Sequence, residues 1–363
     1  MGTNYNTERE LLSHPGETLK DILEERGMSQ AEFAERIGRP KEKINDIIKG
    51  RDSISTSTAF KFEQVLGTPA DFWINREANY RKELYRIERN EKLEKWIEWS
   101  SKFPIKNLKE FGILPKTKDK LGLVSELLKF FEVASPEEWN RIYLHQEEAV
   151  SFRISLVNAK SPHAISTWLR IGEIKAKSIS LSQYNKKGFK RSLYEAKQIA
   201  YEHPSNFHIQ LSDLCAKFGV ALVFVPNIKK APVSGAARWY QNIPIIQLSG
   251  RHKTNDHFWF SFFHEAGHIL LHGKKEVFIE DAEGLNMNEK KEKEADDFAS
   301  KILLSHAELS EITTNFDFNI ELIKEYSEKF KTPAGVILGR LQHMKLLPFS
   351  KYNQLKRKVM LFS

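Results

Sequence analysis

Residues 259–273, WFSFFHEAGHILLHG, constrain the chain most, because they carry His264-Glu265-Ala266-Gly267-His268 in an apolar setting. On a helix of about 100° per residue, His268 falls roughly 40° and Glu265 roughly 100° from His264. Both imidazoles and the carboxylate therefore leave from one sector. Two neutral imidazoles four residues apart can hold one zinc ion, and the carboxylate between them is then placed to activate a water. Trp259, Phe263, Ala266 and Leu270 recur at helical spacing on the other side and give this helix a core face. The plain alternative is a buried helix whose histidines fall at this spacing by coincidence.

A catalytic zinc needs a third protein ligand and an open position. Downstream, KEKEADDFASKILL reads as an amphipathic helix with Ala295, Phe298, Ala299, Ile302 and Leu303 inward. Glu294 lies one turn before Phe298, where a carboxylate would meet the first helix, while Glu292 and Asp296 point roughly the opposite way. Asp297 returns to the inner side as a candidate outer partner for a ligand histidine. The competing reading makes this acidic run a solvated face. His272 lies two turns from His264, roughly 12 Å along the axis, too far to share one ion with it. It is read instead as the cap of the helix that Gly273 ends.

Around these motifs, residues 211–304 resemble the ImmA/IrrE metallopeptidases: a helix and strand (CAKFGVALVFVP), a Ser234-Gly235-Ala236 turn, a second strand (IPIIQLS), the HEAGH helix and the EADDFASKILL helix. The resemblance implies one zinc per chain on His264, His268 and Glu294, with Glu265 as general base. It also implies a protein substrate, expected to be a helix-turn-helix repressor, since members of that family cut repressor proteins in phage, mobile-element or DNA-damage responses. One departure is LLSHAE, where such proteins usually carry a proline after the paired leucines. Arg251, His252 and His257 lie near the motif in sequence, but none is marked out as an oxyanion partner.

The 363 residues suffice for two or three domains with their own cores. A single cysteine, Cys215, excludes an internal disulfide and suits a reducing cytosol. Its helical spacing with Leu211, Leu214 and Phe218 makes it a buried apolar residue, with a thiolate that visits the zinc as the sharper alternative. The first ten residues, MGTNYNTERE, do not read as a signal sequence, and the uncharged runs 218–228 and 239–250 are too short to span a bilayer. The expectation is a cytoplasmic protein with no membrane partner.

From residue 14 to about 80 the sequence breaks into five short helical units: GETLKDILEERG, SQAEFAERIG, PKEKINDIIKG, STSTAFKFEQVLG and PADFWINREANYR. Ser29 caps the second, Gly27 and Gly38 close the first two, and Pro40 falls in the first turn of the third. Two short helices joined by a glycine-bearing turn within a bundle are the helix-turn-helix plan. HPGETLKDIL, MSQAEFAERIG, INDIIKGRDSIS and LGTPADFWIN resemble Cro/C1-type domains, especially the HigA-like antitoxin branch. That resemblance implies double-stranded DNA as partner, with the third helix in the major groove. Arg39, Lys41, Glu42 and Lys43 are then placed for base edges, Gln30, Lys49 and Arg51 for phosphates, and Asn45 for either.

The formal charge of +8 does not by itself identify a DNA binder, because residues 1–85 hold 13 Lys/Arg against 15 Asp/Glu. Locally, residues 36–51 hold six basic against two acidic side chains, a net of +4. The alternative keeps this bundle as a dimerisation or protein-binding module, and a homodimer is open to either reading.

The expected architecture is mainly α with a small β-sheet (α+β). Residues 1–80 form a five-helix helix-turn-helix bundle and 81–104 a charged helical linker. Residues 105–205 form a helical middle module, and 206–363 a zincin-like metallopeptidase domain with C-terminal helices. Arg170, Lys175, Lys177, Lys186-Lys187 and Lys190-Arg191 give the middle module a basic stretch, suited to nucleic acid or to solvation. The functional expectation is a DNA-binding regulatory metalloendopeptidase. Its rival is a non-enzymatic transcriptional regulator or antitoxin-like repressor with a sensory or structural peptidase-like domain.

Overall fold

The computed structural model describes residues 5–144, 156–251, 253–274, 276–282, 284, 288–315 and 317–362. It divides into two compact units, residues 1–100 with 117–125, and residues 101–116 with 126–363.

In the first unit all five expected helices form, as Pro15–Glu25, Gln30–Arg36, Lys41–Ile48, Thr56–Leu66 and Ala70–Lys95, preceded by Tyr5–Glu10. Ser29 accepts the Glu32 N–H at 3.1 Å, and Gly27 and Gly38 adopt φ of 61° and 60°, which only glycine takes without strain. Pro40 sits at the N-cap, one position earlier than expected. Leu19, Leu23, Phe33, Ile44, Ile47, Phe62 and Trp73 share one core. A Cβ on Gly16 would lie 2.0 Å from the Ile47 carbonyl, so the first helix can press on the third only with glycine there. The helix Ala70–Lys95 runs unbroken through the boundary expected at residue 80.

The second unit is built on a four-stranded sheet of order β1-β3-β2-β4. Its strands are β1 (Ala221–Phe224), β2 (Gly235–Tyr240), β3 (Ile243–Leu248) and β4 (Phe278–Ile279). β1 pairs with β3 in parallel, and β2 pairs antiparallel with both β3 and β4. Ser234-Gly235-Ala236, expected as a turn, instead opens β2. The tight turn is at Gln241 and Asn242, where φ of 48° and 71° suits a two-residue hairpin.

The motif helix, Asn255–Leu271, is buried on nearly every side. Trp259, Phe262, Phe263, Ala266 and Ile269 pack with Leu222, Ala237 and Ile246 of the sheet and with Ala299, Ile302 and Leu303 of the acidic helix, Glu289–Leu303. At the crossing of these two helices a Cβ on Gly267 would sit 3.3 Å from Ala295 Cα. That close approach brings the first turns of the acidic helix over the motif histidines. Helices Ile320–Phe330 and Ala334–His343 form a satellite core with Leu304 and Ile312.

Residues 126–205 lie in the same compact unit as the sheet. The helix Pro162–Lys177 packs on β1 and β3. Arg170, expected on a solvated or nucleic-acid-binding surface, is buried. It pairs with Glu173 at 2.9 Å, and Glu173 also holds Arg238 of β2 at 2.6 Å. Gln247 donates to the Trp168 carbonyl at 2.7 Å and completes this polar insert. Among the described residues no helix is long and apolar enough to cross a membrane.

Candidate metal centre and helix-turn-helix surface

His264 and His268 leave the buried motif helix one turn apart, with their Nε2 atoms 2.9 Å from each other. Glu292 Oε2 stands 3.2 Å from the first and 3.5 Å from the second. Tetrahedral zinc with ligands at about 2.0–2.1 Å holds its donors roughly 3.3 Å apart, so these three atoms have the spacing and the chemistry of a zinc ligand set. The carboxylate that meets the histidines is thus Glu292 where Glu294 was expected. The acidic helix presses inward on Ala295 and Ala299, whereas Phe298, the residue used to place Glu294, is half-buried. Counting one turn back from Ala295 leads to Glu292.

The outer contacts shift by the same rotation. Asp296, not Asp297, reaches His264, with Oδ1 2.8 Å from Nδ1, and Asp297 is exposed. Glu294 lies 3.1 Å from His272 Nε2, and His272 Nδ1 is 2.9 Å from His268 Nδ1. His272 is also the C-cap of the motif helix, as expected.

Glu265 is 0% exposed, and neither carboxylate oxygen has a hydrogen-bond partner among the described residues. Gly235 of β2 covers it so closely that a Cβ there would stand 2.4 Å from Glu265 Oε1. Burial drives the Glu265 carboxyl well above its ordinary range; the His264 charge opposes this, and the Glu280 and Glu292 carboxylates add to it. For His264, burial disfavours the charged ring, but hydrogen bonds to Asp296 and Glu292 prevail and push it up to about 11. Glu292 is held down to about 2, its burial outweighed by the same two histidines. Burial lowers His268.

Arg251 is held by the Pro232 carbonyl at 2.6 Å and by Asp281 at 3.3 Å, while His252 lies outside the described residues. Cys215 is buried in the core beside Leu211 and Leu214, and burial raises its thiol. Sequence reasoning did not bring Glu292, Asp296, the His272 contact with His268 or the cover supplied by Gly235 into the cluster. The alanine pair at 295 and 299 was the available signal for the first two.

On the first unit, Lys41, Glu42 and Lys43 are exposed at the start of the third helix. Lys49 and Arg51 are exposed beyond its end, and Gln30, Arg39 and Asn45 are half-buried. Several charges are matched within the unit: Lys43 with Asp52 at 3.2 Å, Arg51 with Asp46 at 2.8 Å. Arg39 Nη2 donates to Ser57 Oγ at 3.4 Å.

A fold of this kind, a helix-turn-helix bundle with a mixed sheet and a buried histidine-carboxylate cluster, defines a DNA-binding protein joined to a peptidase-like domain. Family comparison agrees, with a helix-turn-helix model matching residues 19–73 and a model of the IrrE N-terminal-like domain matching residues 215–342. The chain belongs, in its N-terminal part, to the helix-turn-helix family, and its C-terminal part is similar to the M78 peptidases over the residues that the second model matches.

Virulence-associated protein A of Dichelobacter nodosus is 33% identical over 69 residues, 18% of this chain and 68% of that protein. Among solved structures, a protein described as an antidote of a plasmid maintenance system from Nostoc punctiforme is 29% identical. It covers 23% of this chain and 91% of its own, with a TM-score of 0.23. An addiction module antidote protein of a HigA family from Coxiella burnetii is 28% identical over 23% of this chain and 92% of its own, with a TM-score of 0.22.

Proposed function

We propose that this chain is a cytoplasmic DNA-binding regulator whose zinc-dependent endopeptidase domain cuts a repressor or antitoxin-like protein. The observation that carries the reading is the convergence of His264 Nε2, His268 Nε2 and Glu292 Oε2 beside a buried Glu265 with no hydrogen-bond partner among the described residues. His264, His268 and Glu292 would hold one zinc ion, with Asp296 fixing the His264 ring. When bound, the metal supplies Lewis acidity that polarises a scissile carbonyl and acidifies water from a pKa of about 16 toward 7. Glu265 takes the proton from the attacking water and delivers it to the departing amine. The low-dielectric setting beneath Gly235 strengthens each of these electrostatic contacts. Residues 14–80 bring the chain to its operator, with Lys41 and Lys43 at base edges and Lys49 and Arg51 along phosphates.

The test compares wild type with Glu265→Gln in cells carrying a reporter and a candidate helix-turn-helix repressor, whose length is followed by blot. Wild type should derepress the reporter and shorten the repressor. Glu265→Gln should keep zinc and DNA binding while cleavage falls by about 100- to 10,000-fold. Equal derepression with a full-length repressor in both strains would instead mark the chain as a non-enzymatic regulator.

A further inference from the structure

His272 is unused by the reading above, although its side chain is only 3% exposed and it contacts a motif histidine. Its Nδ1 faces His268 Nδ1 at 2.9 Å, and its Nε2 faces Glu294 Oε2 at 3.1 Å. Its backbone N–H also donates to the His268 carbonyl at 3.0 Å. Two ring nitrogens this close must share one proton, and a carboxylate can only accept. If His268 is to offer its Nε2 lone pair to a metal, its own proton must sit on Nδ1. That N–H then donates to His272 Nδ1, which leaves the His272 proton on Nε2, donated to Glu294. Each step admits a single polarity. Phe278 stacks on the His268 ring at 3.8 Å and so leaves it little freedom to turn away.

We propose that His272 and Glu294 are positioning residues that fix the tautomer and ring orientation of His268 and thereby set the affinity of the site for its metal. The inference rests on the zinc reading of His264, His268 and Glu292. It gives the two ligand imidazoles matching supports from one helix: Asp296 acts on His264 directly, and Glu294 acts on His268 through His272. Outer partners of this kind typically change metal affinity by about 10- to 100-fold when removed.

The test is a zinc titration of the full-length protein against a chromophoric chelator, with His264→Ala as the reference for loss of a ligand. His272→Phe keeps a ring but removes both nitrogens, and should weaken zinc binding by about 10- to 100-fold. His272→Asn, whose amide oxygen can accept the His268 N–H, should recover most of that loss. Glu294→Gln, at a 45% exposed side chain where the fold is not at stake, should fall between wild type and His272→Phe. Long-range 1H–15N spectra of the zinc-loaded protein should show His272 protonated on Nε2, and a mixture of tautomers in Glu294→Gln. Wild-type affinity in both His272→Phe and Glu294→Gln, with His264→Ala failing to bind, would overturn this inference alone. A wild type that takes up no zinc would overturn the metal reading beneath it.

Discussion

The helix-turn-helix unit carries the residues proposed to meet its partner outside its core, and the second unit holds its proposed metal site inside. Lys41, Glu42, Lys43, Lys49 and Arg51 are exposed around a core of Leu19, Phe33, Ile44 and Trp73, and two of these cations are matched by neighbouring aspartates. His264, Glu265 and His268 are 4%, 0% and 2% exposed, and their helix is itself the centre of the core. A surface reader exchanges contacts with little effect on its fold. In a buried site desolvation drives Glu265 up, while hydrogen bonds and opposite charges outweigh desolvation to raise His264 and lower Glu292, so the large shifts gather there. Function and stability should therefore separate in the first unit and be entangled in the second.

The largest effect expected from that contrast is at Glu292. Glu292→Ala removes one of three ligands and should lower zinc affinity on the order of 1,000-fold, against about 10-fold for Glu294→Ala. Chelator competition on the two variants measures both, and the reverse order would restore Glu294 as the ligand. On the other side of the comparison, Lys41→Ala and Lys43→Ala should each weaken operator binding by roughly 1–3 kcal/mol if the side chain reads a base. The urea midpoint of unfolding should not move. A uniform loss across DNA sequences, with a shallower salt dependence, would make them phosphate contacts instead.

The smallest effect concerns His163, packed against Trp139 and Phe103 with ring centroids 4.6 and 4.8 Å away. Burial lowers it to about 4, with the Lys102 charge adding to the shift. A depressed histidine stabilises the fold in its neutral form. Its contribution is therefore complete above its ordinary value near 6.5 and is lost as the pH falls through 4. In metal-free protein this should amount to about 1–2 kcal/mol, discounted for partial exposure. Urea unfolding at pH 7 and pH 4 should show a smaller acid loss in His163→Phe than in wild type, and equal losses would remove His163 from the account.

How much was legible in the sequence follows the same division. Caps and glycines at Ser29, Gly27 and Gly38 act within a few residues, so the helices of the first unit could be read along the chain. The HEAGH spacing was equally local and placed two candidate ligands and the buried Glu265. The third carboxylate depends on which face of the acidic helix is pressed inward. Phe298 looked like the centre of that face by size, and it does reach Gly267, yet Ala295 and Ala299 are the buried positions there and Phe298 stays half-buried at the edge. Arg170 was read by its charge as a surface residue. Its partner Glu173 lies only one turn further along the same helix, but Glu173 also holds Arg238 of β2, 65 residues away, and that pairing, which buries the network, left no local trace. The two-residue strand β4 was too short to leave a pattern.

The central claim is that the buried histidine pair and Glu292 hold the metal of a peptidase site. An anomalous-difference map, recorded on either side of the zinc edge from crystals of the zinc-loaded chain, tests it most directly. The account predicts one peak per chain, bonded by His264 Nε2, His268 Nε2 and a Glu292 oxygen at about 2.0–2.2 Å, with Glu265 beside it and outside bonding distance. A peak bonded by Glu294, or no peak at the histidine pair, would contradict it.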